Sequence, residues 1–158
     1  MTDAPVEAPR TSRGKAGYIA IAVTLICGFE GLYLHAYHDV VGVKTICYGH
    51  IEDVQMGDVA TKAECQEMLA DDIPRYEAMV AKAIHVPMPP HRHAAILSFT
   101  YNVGGGALAK SSVARKLNAG DVRGGCDALL LYDRAGGRVV RGLHNRRVAE
   151  RKECLRSD

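Results

Sequence analysis

The sequence predicts an α+β domain, mainly α, with a small β-hairpin lobe and a larger helical lobe. Three observations carry this. Residues 32–48 alternate in polarity around Gly42, the pattern of a hairpin or small sheet. Thr61 is followed three residues later by Glu64, a capping box that opens a helix. From His91 onward, apolar runs are bounded by serine, aspartate and glycine at helix start and stop positions. The chain has 158 residues, 47% hydrophobic and 24% charged, which suits one domain with a real core.

Residues 1–15 are polar, contain Pro5, Pro9 and Gly14, and lack periodicity; they read as a flexible N-terminal tail. Residues 16–158 then form the single domain, with the β-containing lobe at about 30–60 and the helical lobe at about 85–158. Ala16 to Phe29 carries no charge and follows Arg10, Arg13 and Lys15. This run falls short of the ~20 residues a membrane-spanning helix needs. It also lacks the stripe of an amphipathic surface helix. It is either a first helix buried nearly all round or a weakly apolar membrane segment behind a basic flank.

After the hairpin, His50 to Val59 is a loop. The helix opened by Thr61 can run to about Ala83, with Pro74 expected to bend or split it. Pro87, Pro89 and Pro90 mark the boundary between lobes. His91 to Val103 is a mostly apolar central helix, ended by Gly104, Gly105 and Gly106. Ser111 or Ser112 starts a helix through Leu117, and Asp121 caps the next, through Tyr132. Gly136 and Gly137 make a turn, and Leu143 to Leu155 is a terminal helix with Asn145 as its cap.

The net charge is only +2, but the basic residues Arg134, Arg138, Arg141, Arg146, Arg147 and Arg151 crowd the C-terminal part. Such a face suits an anionic partner like the bacterial envelope, or is a solvated helix face with charge pairs. No aromatic or glycine-rich binding motif accompanies it, so nucleic acid is a poor partner. No phosphate loop or serine-histidine nucleophile motif is present. His35, His38 and Asp39 fall short of a full zinc ligand set, as do His91 and His93. No metal and no cofactor are expected, and the protein is expected to be a monomer. The five cysteines, Cys27, Cys47, Cys65, Cys126 and Cys154, suggest an oxidising compartment with one thiol left over; five reduced core thiols are the alternative.

The chemistry concentrates in one stretch. Eight residues separate Glu30 from Asp39, and five separate Asp39 from Thr45. Cleaving a glycosidic bond takes one carboxyl group that gives a proton and one carboxylate that directs water or stabilises positive charge. A threonine hydroxyl can hold that water. Phe29-Glu30-Gly31, Ala36-Tyr37-His38-Asp39 and Val41 through His50 together resemble the active-site signature of phage-type lysozymes, glycoside hydrolase family 24. Cys47 stands where that family usually has glycine, as in its secreted, cysteine-containing branch. Further blocks at Ser98 to Ala107, Ser111 to Asp121, Tyr132 to Arg147 and Glu150 to Leu155 resemble the same family in the expected order.

The resemblance implies a lysozyme-like fold and a muramidase that hydrolyses peptidoglycan between N-acetylmuramic acid and N-acetylglucosamine during phage lysis. Glu30 is the expected general acid, partly desolvated by Phe29 and its neighbours so that its proton stays available. Asp39 is the expected ionised partner and Thr45 the water-positioning hydroxyl, with inversion at the sugar carbon. Asn102, Tyr48 and Arg138 are the candidate substrate contacts, while His50 is scaffold. The implied disulfides are Cys47 with Cys65 and Cys126 with Cys154, with Cys27 spare. Residues 16–29 resemble the signal-arrest-release segments of some endolysins, which are made in the host cytoplasm, held transiently in the inner membrane and released to act in the periplasm. In that case Cys27, three residues before Glu30, is either a small buried thiol or an exchange partner during activation.

Overall fold

The computed structural model describes residues 12–157. Of the expected N-terminal tail, residues 1–11 lie outside the described residues, and the rest is helical: α1 spans Ser12–Phe29. There follow β1 (Tyr33–His38), β2 (Lys44–Cys47), α2 (Lys62–Ala83), α3 (Pro90–Val103), α4 (Gly105–Lys110), α5 (Ser112–Asn118) and α6 (Val122–Ala128). A 3-10 turn at Leu129–Leu131, the short strands β3 (Arg134–Ala135) and β4 (Arg138–Val139), and α7 (Arg141–Cys154) complete the chain.

Helix α3 is the centre. Ala94 through Thr100 are all buried, and the helix packs against both α1 and α7, which also meet each other. Pro90 begins it, where its missing N–H costs nothing and its fixed φ suits the first turn. Gly104 ends it at φ 85, a backbone state that side-chain-bearing residues avoid. The chain then restarts at once as α4 instead of leaving the helical region. Gly105 permits this, because a Cβ there would lie 2.8 Å from Met79 Cγ on α2. The three glycines thus mark a close helix crossing as well as a helix end.

Helix α2 opens with the expected capping box: the Thr61 hydroxyl accepts from Glu64 N, and Glu64 accepts from Thr61 N. Pro74 does not split it; the helix runs unbroken, with Leu69, Ile73 and Val80 buried along its length. Tertiary burial on both sides of the proline outweighs one lost ladder bond. The terminal helix starts at Arg141 with Val140 as its cap, so Asn145 lies inside the first turns and caps nothing.

Helix α1 is not buried all round. Ala22 and Ile26 are fully buried, while Ala20, Thr24 and Phe29 are exposed. Its N-terminal half is pinned by Tyr18, which stacks on His93 with ring centroids 4.1 Å apart and donates to Glu77 at 2.7 Å. No helix among the described residues is long and apolar enough to cross a membrane.

Two disulfides staple the fold. Cys47–Cys65 ties the end of β2 to α2, and Cys126–Cys154 ties α6 to the end of α7. Cys27 is a free, half-buried thiol beside the Tyr48 hydroxyl. Cys47 has φ 61, in the left-handed region that favours glycine. That conformation explains why glycine suits the position, and the bond to Cys65 anchors the exception.

Candidate active site

Three consecutive elements present the predicted acids and hydroxyl. Glu30 follows the last residue of α1, and its N–H still completes a helical bond to Ile26 O at 2.8 Å. Asp39 begins the turn between β1 and β2. Its backbone N–H donates to Val43 O and its C=O accepts from Gly42 N, which closes the turn. Its Oδ1 accepts from Val41 N at 2.9 Å and Val43 N at 2.8 Å. Both bonds end on one oxygen, so the carboxylate is oriented while Oδ2 meets no donor among the described residues. Thr45 lies on β2 directly opposite Tyr37 of β1.

Tyr37 links the two acids. Burial, then the charges of Tyr33, Asp39 and Glu30, push its hydroxyl above the ordinary tyrosine range. The charges of both carboxylates reach this phenol, though burial is the larger cause; its cross-strand partner is Thr45. Tyr101 feels Glu30 from the α3 side: burial, then Tyr76, Glu30 and Asp72, push its hydroxyl up, against Arg146.

The surroundings of Glu30 differ from the expected apolar pocket. Phe29 is exposed, and the carboxylate, 27% exposed, receives Arg146 Nη1 at 2.6 Å. Arg146 was legible only as part of a basic helix face. In the structure Arg146 and Arg147 are buried, and Glu150 between them is fully buried. The crowded basic segment is thus partly internal, and two of its cations leave the surface. The i, i+4 spacing of Arg146 with Glu150 and the i, i+3 spacing of Arg147 with Glu150 were the available signals.

Thr45 is 4% exposed and donates its hydroxyl proton to Val43 O at 3.0 Å. Its oxygen remains an acceptor only. Asn102 is exposed and accepts from Arg147 at 2.9 Å, and it lines a groove of about 360 Å³ with Val103, Leu131, Tyr132, Arg134 and Leu143. Tyr48 does not reach a groove. It is buried to 4% exposure, its carbonyl accepts from the Tyr101 hydroxyl, and burial followed by Cys27 pushes its own hydroxyl up. Arg138 sits on the exposed β3–β4 hairpin, as does Arg134, which lines the groove beside Asn102. Ser98 and Thr100 are core groups, bonded to Glu150 and to Ile96 O. His50 is scaffold, its Nδ1 2.8 Å from Asp72 Oδ2. The larger concavity, about 490 Å³ beside His50, Asp72 and Met68, contains none of Glu30, Asp39 and Thr45.

The phage lysozyme family model matches residues 27–150, the span that holds all of these groups. The chain belongs to the phage lysozyme family. The SAR-endolysin of Bacteriophage PS119 is 42% identical to it over 146 residues, 88% of this chain and 87% of that one. The endolysin from Escherichia coli O157:H7 phage FAHEc1 is 35% identical with a TM-score of 0.76, over 85% of this chain and 90% of that one. The muramidase domain of SpmX from Asticaccaulis excentricus reaches a TM-score of 0.81 at 28% identity, over 86% of this chain and 95% of that domain. This phage lysozyme is an endolysin-type glycoside hydrolase that degrades peptidoglycan for host lysis.

Proposed function

We propose that this lysozyme hydrolyses the bond between N-acetylmuramic acid and N-acetylglucosamine with inversion, using Glu30 as proton donor, Asp39 as base and Thr45 as water holder. The observation that carries the reading is the placement of Glu30 at the end of α1, Asp39 in the β1–β2 turn with Oδ2 bound to no donor among the described residues, and Thr45 on β2, all within the span that the family model matches. Glu30 gives its proton to the leaving oxygen, with Arg146 setting the direction of the carboxyl group. A water on the other face of the sugar donates one O–H to Asp39 and the other to Thr45, whose own proton is committed to Val43 O. Two acceptors on the water's protons turn its lone pair toward the sugar carbon. Inversion requires a carboxyl separation of ~6.5–9.5 Å for that water to fit. Asn102, with Oδ1 held by Arg147, has its Nδ2 available to donate to a sugar carbonyl.

Residues 16–29 tether the newly made chain to the inner membrane, and α1 takes its place on α3 when the enzyme is released into the periplasm. Support comes from the SAR-endolysin relatives and from α1, which meets the fold along Ala22 and Ile26 and through the Tyr18 contacts. Fractionation tests this part: a chain that stays wholly soluble in the cytoplasm until lysis rules out the tether.

The test of the chemistry is sacculus turbidity, wild type against Glu30→Gln. Loss of at least about a hundredfold in rate with an unchanged circular-dichroism spectrum is expected. Near-full activity would overturn the assignment. Reducing ends among the products fit hydrolysis, whereas anhydro ends would mean a transglycosylase. Binding to sacculi without fragment release would mean a wall-binding module, and killing retained by Glu30→Gln would reveal membrane disruption.

A further inference from the structure

We infer that Glu150 is a positioning residue for the proton donor: its buried carboxylate fixes Arg146, which in turn holds Glu30. This rests on the reading of Glu30 as the acid. Glu150 is fully buried, and its hydrogen bonds all end on Oε1. Oε1 accepts from Ser98 Oγ at 2.8 Å, Arg146 Nε at 3.1 Å and Arg147 Nη2 at 3.2 Å. Oε2 lies 2.8 Å from Arg147 Nε.

Geometry explains the relay. A guanidinium is a planar fork, so fixing two of its nitrogens fixes the third. Arg146 Nε is held by Glu150 and Nη2 by Ser98 O at 3.0 Å. Nη1 is thereby aimed at Glu30 Oε1, 2.6 Å away. The Glu30 carboxyl group closes a chain that starts in the core of α7 and α3.

Charge explains why the anchor is a carboxylate. Arg146 and Arg147 both keep their protons and both are buried. From α1 the pair faces Glu30 and the Phe29 ring; from α3 it faces Ser98, Phe99, Asn102 and the Tyr101 hydroxyl. Among the described residues the cation paired with Glu30 is Arg146, and Arg147 otherwise meets the neutral Asn102 and the Phe99 ring. Glu150 is thus the standing counter-charge between the two guanidiniums, so that Glu30 does not have to be ionised to offset both. Burial pushes its carboxyl up, and the two guanidiniums pull it back; burial likewise pulls Arg147 down. Without that negative charge, one uncompensated guanidinium would draw on Glu30 and favour its proton-free form.

Glu150→Gln keeps the volume and an acceptor oxygen while deleting the charge. In sacculus hydrolysis, kcat is expected to fall about ten- to a hundredfold with KM nearly constant. The alkaline limb of the kcat–pH profile is expected to move about one unit to lower pH. Simple loss of folded enzyme would reduce amplitude and leave the limb in place. Adding Arg147→Met removes a charge of the opposite sign and should return the limb toward its wild-type position. A Glu150→Gln profile that coincides with wild type overturns the inference. If that variant fails to fold, Ser98→Ala decides, since it frees one bond of the anchor: a severalfold fall in kcat at constant KM supports the relay, and an unchanged kcat overturns it. Failure of the underlying reading looks different, because activity would then survive Glu30→Gln whatever Glu150 does.

Discussion

Reduction of the two disulfides should bring this lysozyme close to unfolding. Cys47–Cys65 closes a span of 18 residues and Cys126–Cys154 one of 28. Loop-closure entropy in the unfolded chain then contributes about 3.2 and about 3.6 kcal/mol. The loops do not overlap in sequence and tie different parts of the fold, so the contributions should add to about 7 kcal/mol. A domain of this kind has a net stability of only about 5–15 kcal/mol. For its size, that loss corresponds to a fall of about 15–25 °C in Tm. The assay is urea unfolding of the oxidised protein, the reduced and alkylated protein, and the variants Cys47→Ala/Cys65→Ala and Cys126→Ala/Cys154→Ala. Each paired variant should lose roughly half of the total. A reduced protein within about 1 kcal/mol of the oxidised one would refute the reasoning, since the crosslinks would then constrain nothing that the core does not already hold. The functional consequence is that the reduced chain carries much less stability than the oxidised one.

The contact that pins α1 should depend on pH. Burial pushes the Glu77 carboxyl up, but bonds from His93 and Tyr18 and the charges of His93 and Lys15 outweigh it, leaving Glu77 below its ordinary value of 4.5. A depressed folded value means the contribution is complete above the unfolded value and disappears as pH falls through the folded one. The stability difference between wild type and Glu77→Gln should therefore be about 2 kcal/mol at neutral pH and shrink below pH 4.5; urea titrations across that range would contradict this if the difference stayed flat. Asp72→Asn should cost about 2 kcal/mol, because it removes the buried carboxylate that bonds the half-buried His50 ring. Thermal melts of Asp72→Asn and His50→Ala should give similar losses, and the double variant should lose much less than their sum; additive losses would mean that the pair is not coupled.

Where the chain satisfied its own backbone within a few residues, its organisation was legible. The Thr61–Glu64 box, the Pro90 start, the Gly104 stop and the Asp39–Val43 turn all involve groups at most four residues apart. Their geometry follows from side-chain chemistry and allowed φ/ψ values, and the resemblance to a phage lysozyme rests on the same local blocks. Helix α4 was missed because Gly104 to Gly106 signal a stop, while the close approach of Gly105 to Met79 depends on α2. The burial of Tyr48 was not legible, because its polar tip meets Cys27 inside the fold.

By itself the sequence determined the family, the main helices with the first hairpin, and the candidate acids with their hydroxyl. Tertiary structure alone decided which charges meet. Glu30 and Arg146 are 116 residues apart, and they touch only because α1 and α7 both dock on α3. An exposed arginine and a buried one are written with the same letter. What separates them is desolvation, which only the packed helices impose, and which requires the buried Arg146 and Arg147 to be met by the buried Glu150.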